Sequence, residues 1–198
     1  MIIVKSPFRV SFFGGGTDFP EWFNKFEGKV ISSAIDYYSY LLIKDKDINK
    51  YKYNFNYSKI EKTNSLSSIS HPCFRKFCKN FKIKDIDLTF YSDLPSFSGL
   101  ASSSSLSVGL INFYNTIIKN KKISRNFLAS KTIDFERNIL KENIGYQDQI
   151  SITYGGLNYI KFKNDSFKCN KIYLTLKKFD KFEKNFFLLD SGIKRFSS

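Results

Sequence analysis

Histidine, tryptophan and methionine each occur once in the 198 residues, as His71, Trp22 and Met1, and proline occurs only four times. A lone histidine excludes a histidine-built metal centre and leaves His71 a weak candidate for acid–base work. The three cysteines, Cys73, Cys78 and Cys169, are too few for a metal-spaced quartet, and their odd number argues against a disulfide framework. No apolar run approaches the roughly 18–20 residues needed to cross a bilayer. Met1-Ile2-Ile3-Val4 leads straight into a strand, without the basic region, long apolar stretch and cleavage site of a signal peptide. The expected class is a soluble cytoplasmic protein. Apolar residues make up 42% of the chain and charged residues 25%, which excludes disordered and fibrous classes and provides for a sizeable core.

Arginine is scarce as well. The net charge of +14 comes mostly from lysine, with only Arg9, Arg75, Arg125, Arg137 and Arg195 beside it. Lysines spread along a chain rich in Phe, Tyr, Ile and Asn and poor in Ala reflect AT-rich coding and a solvated surface. A nucleic-acid footprint would cluster. No nucleic acid and no membrane is therefore expected as a partner, whereas an anionic substrate is compatible with the charge.

Residues 2–13 read as one or two strands ending at Gly14-Gly15-Gly16, and Val30 to Ile43 as another, with Tyr38, Tyr40 and Leu42 on one face. Lys44 to Ser70 is polar and reads as a hairpin plus a surface loop. Pro72 to Asn80 is a short helix carrying Cys73 and Cys78, and Ile86 to Ser92 is a strand. Leu106, Leu110, Ile111, Tyr114, Ile117 and Ile118 recur at helical spacing, so a long buried helix begins at Ser102. Ser124 is an N-cap for a helix carrying Glu136 and Arg137. A short helix ends at Gly155-Gly156, Leu157 to Ile160 follows, and two more strands are expected near Lys171 and Phe186. Irregular alternation of strands and helices favours an α+β fold.

Three segments carry chemistry. The first runs from Asp93-Leu94-Pro95 through Ser96-Phe97-Ser98-Gly99-Leu100-Ala101 to Ser102-Ser103-Ser104-Ser105. Here a strand gives way to a small-residue loop and then to a helix, whose first N–H groups and positive dipole end suit an anion. A serine-rich linker reads equally well. The second segment is Arg9 within a largely apolar strand, followed by Gly14-Gly15-Gly16-Thr17-Asp18. That arginine needs an anionic partner or a cleft, and the glycines allow close backbone approach; a glycine turn with an Asx cap is the plainer reading. The third pairs Glu136 with Asp148 in Gly145-Tyr146-Gln147-Asp148-Gln149. Two carboxylates of this kind serve phosphoryl transfer, one holding Mg²⁺ and one accepting a hydroxyl proton, or stand as ordinary surface acids.

In order and approximate spacing, the three segments resemble those of the GHMP small-molecule kinases, most closely the branch of D-glycero-D-manno-heptose 7-phosphate kinases and related sugar kinases. The likeness extends over Tyr154-Gly155-Gly156-Leu157-Asn158 and Asp190-Ser191-Gly192-Ile193-Lys194-Arg195. It implies the α+β N-terminal domain of that family, related to the second domain of ribosomal protein S5, over residues 1–180, with 181–198 starting a C-terminal domain. It also implies ATP and Mg²⁺ as cofactors and phosphorylation of a sugar hydroxyl. Pro95, Ser98, Gly99, Leu100, Ala101, Ser102, Ser103 and Ser104 would line the ATP phosphates, and Ser103 and Glu136 would hold Mg²⁺. Asp148 would be the base and Arg9 its charge-stabilising neighbour. Gly15, Gly16, Thr17, Asp18, Gly145 and Gln147 would contact the sugar.

The sequence departs from the family pattern in two respects. Ala101 stands where Gly-Leu-Gly-Ser-Ser is usual, and its methyl would be strained if that position needs a positive φ. The family's second, C-terminal domain with another glycine-rich loop does not follow Arg195. A half-cleft leaves phosphates open to water, which weighs against turnover by this chain alone. A separate chain supplying that half, or a homo-oligomer, is the expected partner. The acceptor is open between heptose 7-phosphate and a fucose- or galactose-like sugar, and an inactive fragment acting as a binding protein is the alternative.

Overall fold

The computed structural model describes residues 1–44, 50–95, 98–187 and 189. Ser96, Phe97 and the Asp190–Arg195 motif lie outside them, as does most of 181–198. β1 (Ile2–Phe13) and β2 (Gly28–Lys44) form a long antiparallel hairpin around a one-turn helix, α1 (Pro20–Phe23). The other edge of β2 is shared. Its first half pairs with β6 (Leu157–Lys163), which pairs with β7 (Ser166–Lys171), and its second half pairs with β5 (Ile86–Ser92). β3 (Tyr53–Asn56) then runs parallel to β5 and antiparallel to β4 (Ile60–Thr63). Among the described residues the sheet has seven strands: β1–β2, β3–β4 and β6–β7 are antiparallel pairs of consecutive strands, β5 lies between β2 and β3, and the mixed pairing with helices interspersed is as expected of α+β.

Two corrections to the sequence reading concern this sheet. The hairpin read between residues 44 and 70 is β3–β4, but it is not a surface appendage: β3 is an inner strand whose Tyr53 and Phe55 are buried, and Ile69 is fully covered. No strand forms at Phe186. Thr175 instead precedes α6 (Leu176–Lys184), where Leu176, Phe179, Phe182 and then Phe186 recur at helical intervals between lysines. Phe186 lies past the helix end and packs with Phe182 on Phe12.

The core is built by helices laid on the sheet. α2 (Pro72–Phe81) places Cys73, Phe74, Phe77 and Cys78 inward, and all three cysteines are free thiols. α3 (Ser102–Phe113) continues through a π-turn at Tyr114–Ile118 and buries Leu106, Leu110 and Ile111, each worth roughly 1.5–3 kcal/mol. Together with Leu41, Ile43, Phe55 and Leu88 these side chains form the larger cluster. A second cluster joins Phe23, Val30 and Phe162 to α4 (Arg125–Asp134) and α5 (Gln147–Tyr154). Ser124 caps α4 as read, accepting a bond from the Phe127 amide at 3.2 Å. Buried serine pairs bring the helices close to β2: Ser39 to Ser105 of α3 at 2.6 Å and Ser32 to Ser151 of α5 at 2.5 Å. No helix among the described residues is long and apolar enough to cross a membrane.

Candidate active site

The site lies where β1, the start of α3 and the start of α5 meet. Arg9 projects from the half-buried stretch of β1 and meets Asp148, in the first turn of α5, with a two-pronged contact: Nε to Oδ1 and Nη2 to Oδ2, both 2.7 Å. Its remaining prong, Nη1, donates to the Gly99 carbonyl at 3.0 Å, and its backbone N–H donates to the Leu100 carbonyl at 3.2 Å. One arginine therefore ties a carboxylate 139 residues away to the loop that opens α3. Planar, bidentate pairing fixes the orientation of both groups, which a lysine in its place would not do.

That loop has the shape an anion site needs. Gly99 and Ala101 both take positive φ, +75° and +65°, and Ala101 is the residue immediately before α3. The turn frees the N–H groups of Ser102, Ser103 and Ser104 at the positive end of a twelve-residue helix. Pro95, Ser98, Gly99 and Ser103 are exposed, and Leu100 and Ser102 are half-buried. The Ala101 methyl is indeed in the left-handed region, at a cost of about 1–2 kcal/mol. Ala101→Gly is expected to raise the unfolding free energy by about 0.5–1 kcal/mol, after the added chain entropy of glycine, and urea titration with an unchanged slope checks it.

The glycine-rich loop behaves differently from its reading. Asp18 is 1% exposed, and its carboxylate accepts the amides of Gly16 and Gln147, both at 3.0 Å, and the Gln147 side chain at 3.4 Å. Burial, with Asp148 nearby, pushes its carboxyl above the usual range. Thr17 also faces inward, donating to the Gly14 carbonyl and accepting from the Lys29 amide. Asp18 therefore holds the loop against α5 and Thr17 holds it against β2, and Gly15 and Gly16 form its open tip. Gly145 explains the tightness: a Cβ there would lie 1.9 Å from Asp18 Oδ2. Gly145→Ala is expected to cost about 2 kcal/mol, read as a lowered melting temperature.

Glu136 lies in a π-turn, Phe135–Leu140, that extends α4 and carries it fully inside. Its Oε2 accepts Ser104 at 3.0 Å and the side-chain amide of Gln149, while Oε1 has no hydrogen-bond partner. Burial pushes its carboxyl up to about 8, against the opposing pull of Ser107, Gln149 and Ser104. Ser104, rather than the exposed Ser103, is thus the serine brought to Glu136. Two residues given no role in the sequence reading complete the site. Gln149 reaches Ser104 and Glu136 from one side of α5, and Ser11 donates to Gln147 at 2.7 Å.

Residues 67–156, from the approach to α2 to the end of α5, match the GHMP kinases N terminal domain. Over that stretch the chain is similar to a GHMP kinase N-terminal domain. The D-glycero-alpha-D-manno-heptose 7-phosphate kinase of Campylobacter jejuni is 29% identical to it, over 83% of this chain and 51% of that relative. The galactokinase of Thermosipho africanus is 28% identical, over 96% of this chain and 53% of that relative. The chain spans about half the length of the curated relatives it matches. A crystal structure of a D-glycero-D-manno-heptose 1-phosphate kinase from Bacteroides thetaiotaomicron shares the fold at a TM-score of 0.80 and 23% identity, covering 91% of this chain and 62% of that one.

GHMP kinases imply a divalent cation, and this domain can be tested for one. Among the described residues no group of three or more His, Cys, Asp or Glu could cage a metal. Mg²⁺ seldom needs such a cage, taking one or two carboxylates plus phosphate and water. The free Oε1 of buried Glu136, beside serine hydroxyls, is a hard oxygen donor with nothing to bind, and it fits that ion in kind.

Proposed function

We propose that this domain belongs to an ATP-dependent sugar kinase that phosphorylates the anomeric hydroxyl of a sugar or sugar phosphate. The heptose 7-phosphate acceptor of the Campylobacter relative is the first to test, and D-galactose and L-fucose come next. The observation that supports this reading best is the Arg9 bridge. It places a carboxylate able to accept a hydroxyl proton directly against the loop suited to hold phosphates.

Asp148 would take the proton of the attacking hydroxyl, and Arg9 would orient that carboxylate and offset charge building on the transferred phosphoryl group. The loop from Pro95 and Ser98 through Ser104 would hold the triphosphate through its backbone N–H groups and serine hydroxyls. Glu136, with the hydroxyls of Ser103 and Ser104, would hold Mg²⁺, which when bound neutralises phosphate charge. Gly15, Gly16 and Gln147 would line the acceptor side. Phosphoryl transfer depends chiefly on positioning, so the shared anchoring of base and loop by one side chain is its main structural requirement. The test is ADP release by the purified chain, with ATP, Mg²⁺ and each acceptor in turn, alone and with a complementary C-terminal half. Saturable turnover with one acceptor supports the reading, and none with any acceptor in either arrangement removes it.

A further inference from the structure

The chain's single tryptophan is on the surface, beside a cavity on the outer side of the glycine-rich loop. Trp22 is 46% exposed and Phe26 59%, and their rings contact each other at 5.0 Å. Next to them is a shallow cavity of about 450 Å³, widely open to solvent and lined by Gly16, Phe19, Glu21, Trp22 and Asn143. That size falls within the range of small-molecule sites.

Its walls are rigidly held. Phe23, one residue after Trp22, is buried against Tyr146 and Phe162 at 5.2 and 5.6 Å. Asn24 and Asp165 exchange two hydrogen bonds, at 2.8 and 3.0 Å, closing the far end of α1. Glu21 is held by Arg137 at 3.3 Å, and that arginine also donates to the Ile144 carbonyl beside Asn143. Gly16 contributes open space, with nothing within 4 Å of where its Cβ would be.

The cavity thus combines an aromatic face, a carboxylate with acceptor sites to spare and a carboxamide that both donates and accepts. A sugar ring matches that set: its C–H face covers an indole while its hydroxyls bond the carboxylate and the amide. A phosphate does not match, because Glu21 repels it and Arg137 is already engaged. One lining residue, Gly16, belongs to the loop that Asp18 fastens to the start of α5, where the proposed base stands. Gly16 donates to Asp18, Asp18 accepts the Gln147 amide, and Asp148 is the next residue.

We infer that this cavity holds the uncharged, hydroxyl-bearing body of the phosphoryl acceptor, with Trp22 as its stacking surface and Glu21 and Asn143 as its hydroxyl readers. The inference rests on the sugar-kinase reading for the word acceptor, but binding can be measured without catalysis. Because Trp22 is the only tryptophan, its emission reports the cavity directly. The chain is titrated with D-mannose, D-galactose and D-glucose, and with ATP alone as a control. A saturable change in emission with at least one hexose is expected, with none from ATP. Asn143→Ala, at an exposed position, should raise the midpoint about tenfold with an unchanged circular dichroism spectrum. In turnover assays Trp22→Phe should raise KM for the sugar several-fold and leave KM for ATP alone. Sugar turnover with flat emission and an unchanged KM in Trp22→Phe overturns the inference while the kinase reading stands. An emission change without any turnover supports the cavity and counts against the kinase reading. Flat emission with no turnover overturns the cavity as well.

Discussion

Asp148→Asn is expected to lower kcat for sugar phosphorylation by about a thousandfold while ATP binding, measured by calorimetry, changes less than threefold. The size follows from removing a base worth roughly 10²–10⁴ in rate. The selectivity follows from geometry, since Asp148 touches Arg9 and not the backbone N–H groups of the Gly99–Ser104 loop. Arg9→Lys should behave differently. A lysine cannot hold both Asp148 oxygens and the Gly99 carbonyl at once, so it loosens base and phosphate loop together. Its kcat should fall and its KM for ATP should rise. A variant at Asp148 with near-native kcat would remove the base assignment, and an Arg9→Lys variant with unchanged KM for ATP would remove the bridge.

Local structure was legible wherever a single period ran through an element. The apolar spacing of Leu106, Leu110 and Ile111 announces α3, and Ser124 announces the start of α4. β2 shows why the reading stopped there. Its buried residues are Gly28, Val30 and Ser32 at one end and Ser39, Leu41 and Ile43 at the other, a change from even to odd positions. The change occurs across a bulge near Asp36-Tyr37, where pairing with β1 jumps from Pro7–Tyr38 to Phe8–Ile35. A period-two pattern cannot show a shift created by pairing with another strand. The phenylalanines of 179–187 misled for a related reason: their strand preference is context-dependent, whereas their spacing between lysines is helical.

The site followed the same division. The residue types of the Arg9, Gly99 and Asp148 segments suggested their chemistry, but only the motif order suggested that they meet, because no local rule spans 139 residues. Which of several neighbouring polar residues faces inward was not legible. Ser104 rather than Ser103 meets Glu136 because the helix phase set at Ala101 turns it there. Asp18 was read as a sugar contact for its type. Its burial depends on Gly145, which alone leaves room for its carboxylate.

Glu136 carries the second large effect, and its sign is fixed by burial. Its carboxyl rises from 4.5 to about 8 on folding, so below about pH 4 it is protonated in both states and the folded protein keeps its full stability. Above that the unfolded chain ionises while the folded one must keep its proton. Stability is therefore lost as pH rises from about 4.5 to 8, by an amount of the order of 4 kcal/mol at 1.36 kcal/mol per pH unit. Asp18 and Glu142 are raised by burial too and add in the same direction. Glu136→Gln isolates the one contribution, since a carboxamide can still accept from Ser104 and Gln149 but cannot titrate. In urea titrations from pH 5 to 8, the stability of Glu136→Gln minus that of the native chain should grow with pH; parallel curves would mean that Glu136 is ionised in the folded protein throughout. A metal must displace the same proton. Mg²⁺ should therefore stabilise the native chain more at pH 8 than at pH 6 and leave Glu136→Gln unmoved, which separates a cation ligand from a merely buried acid.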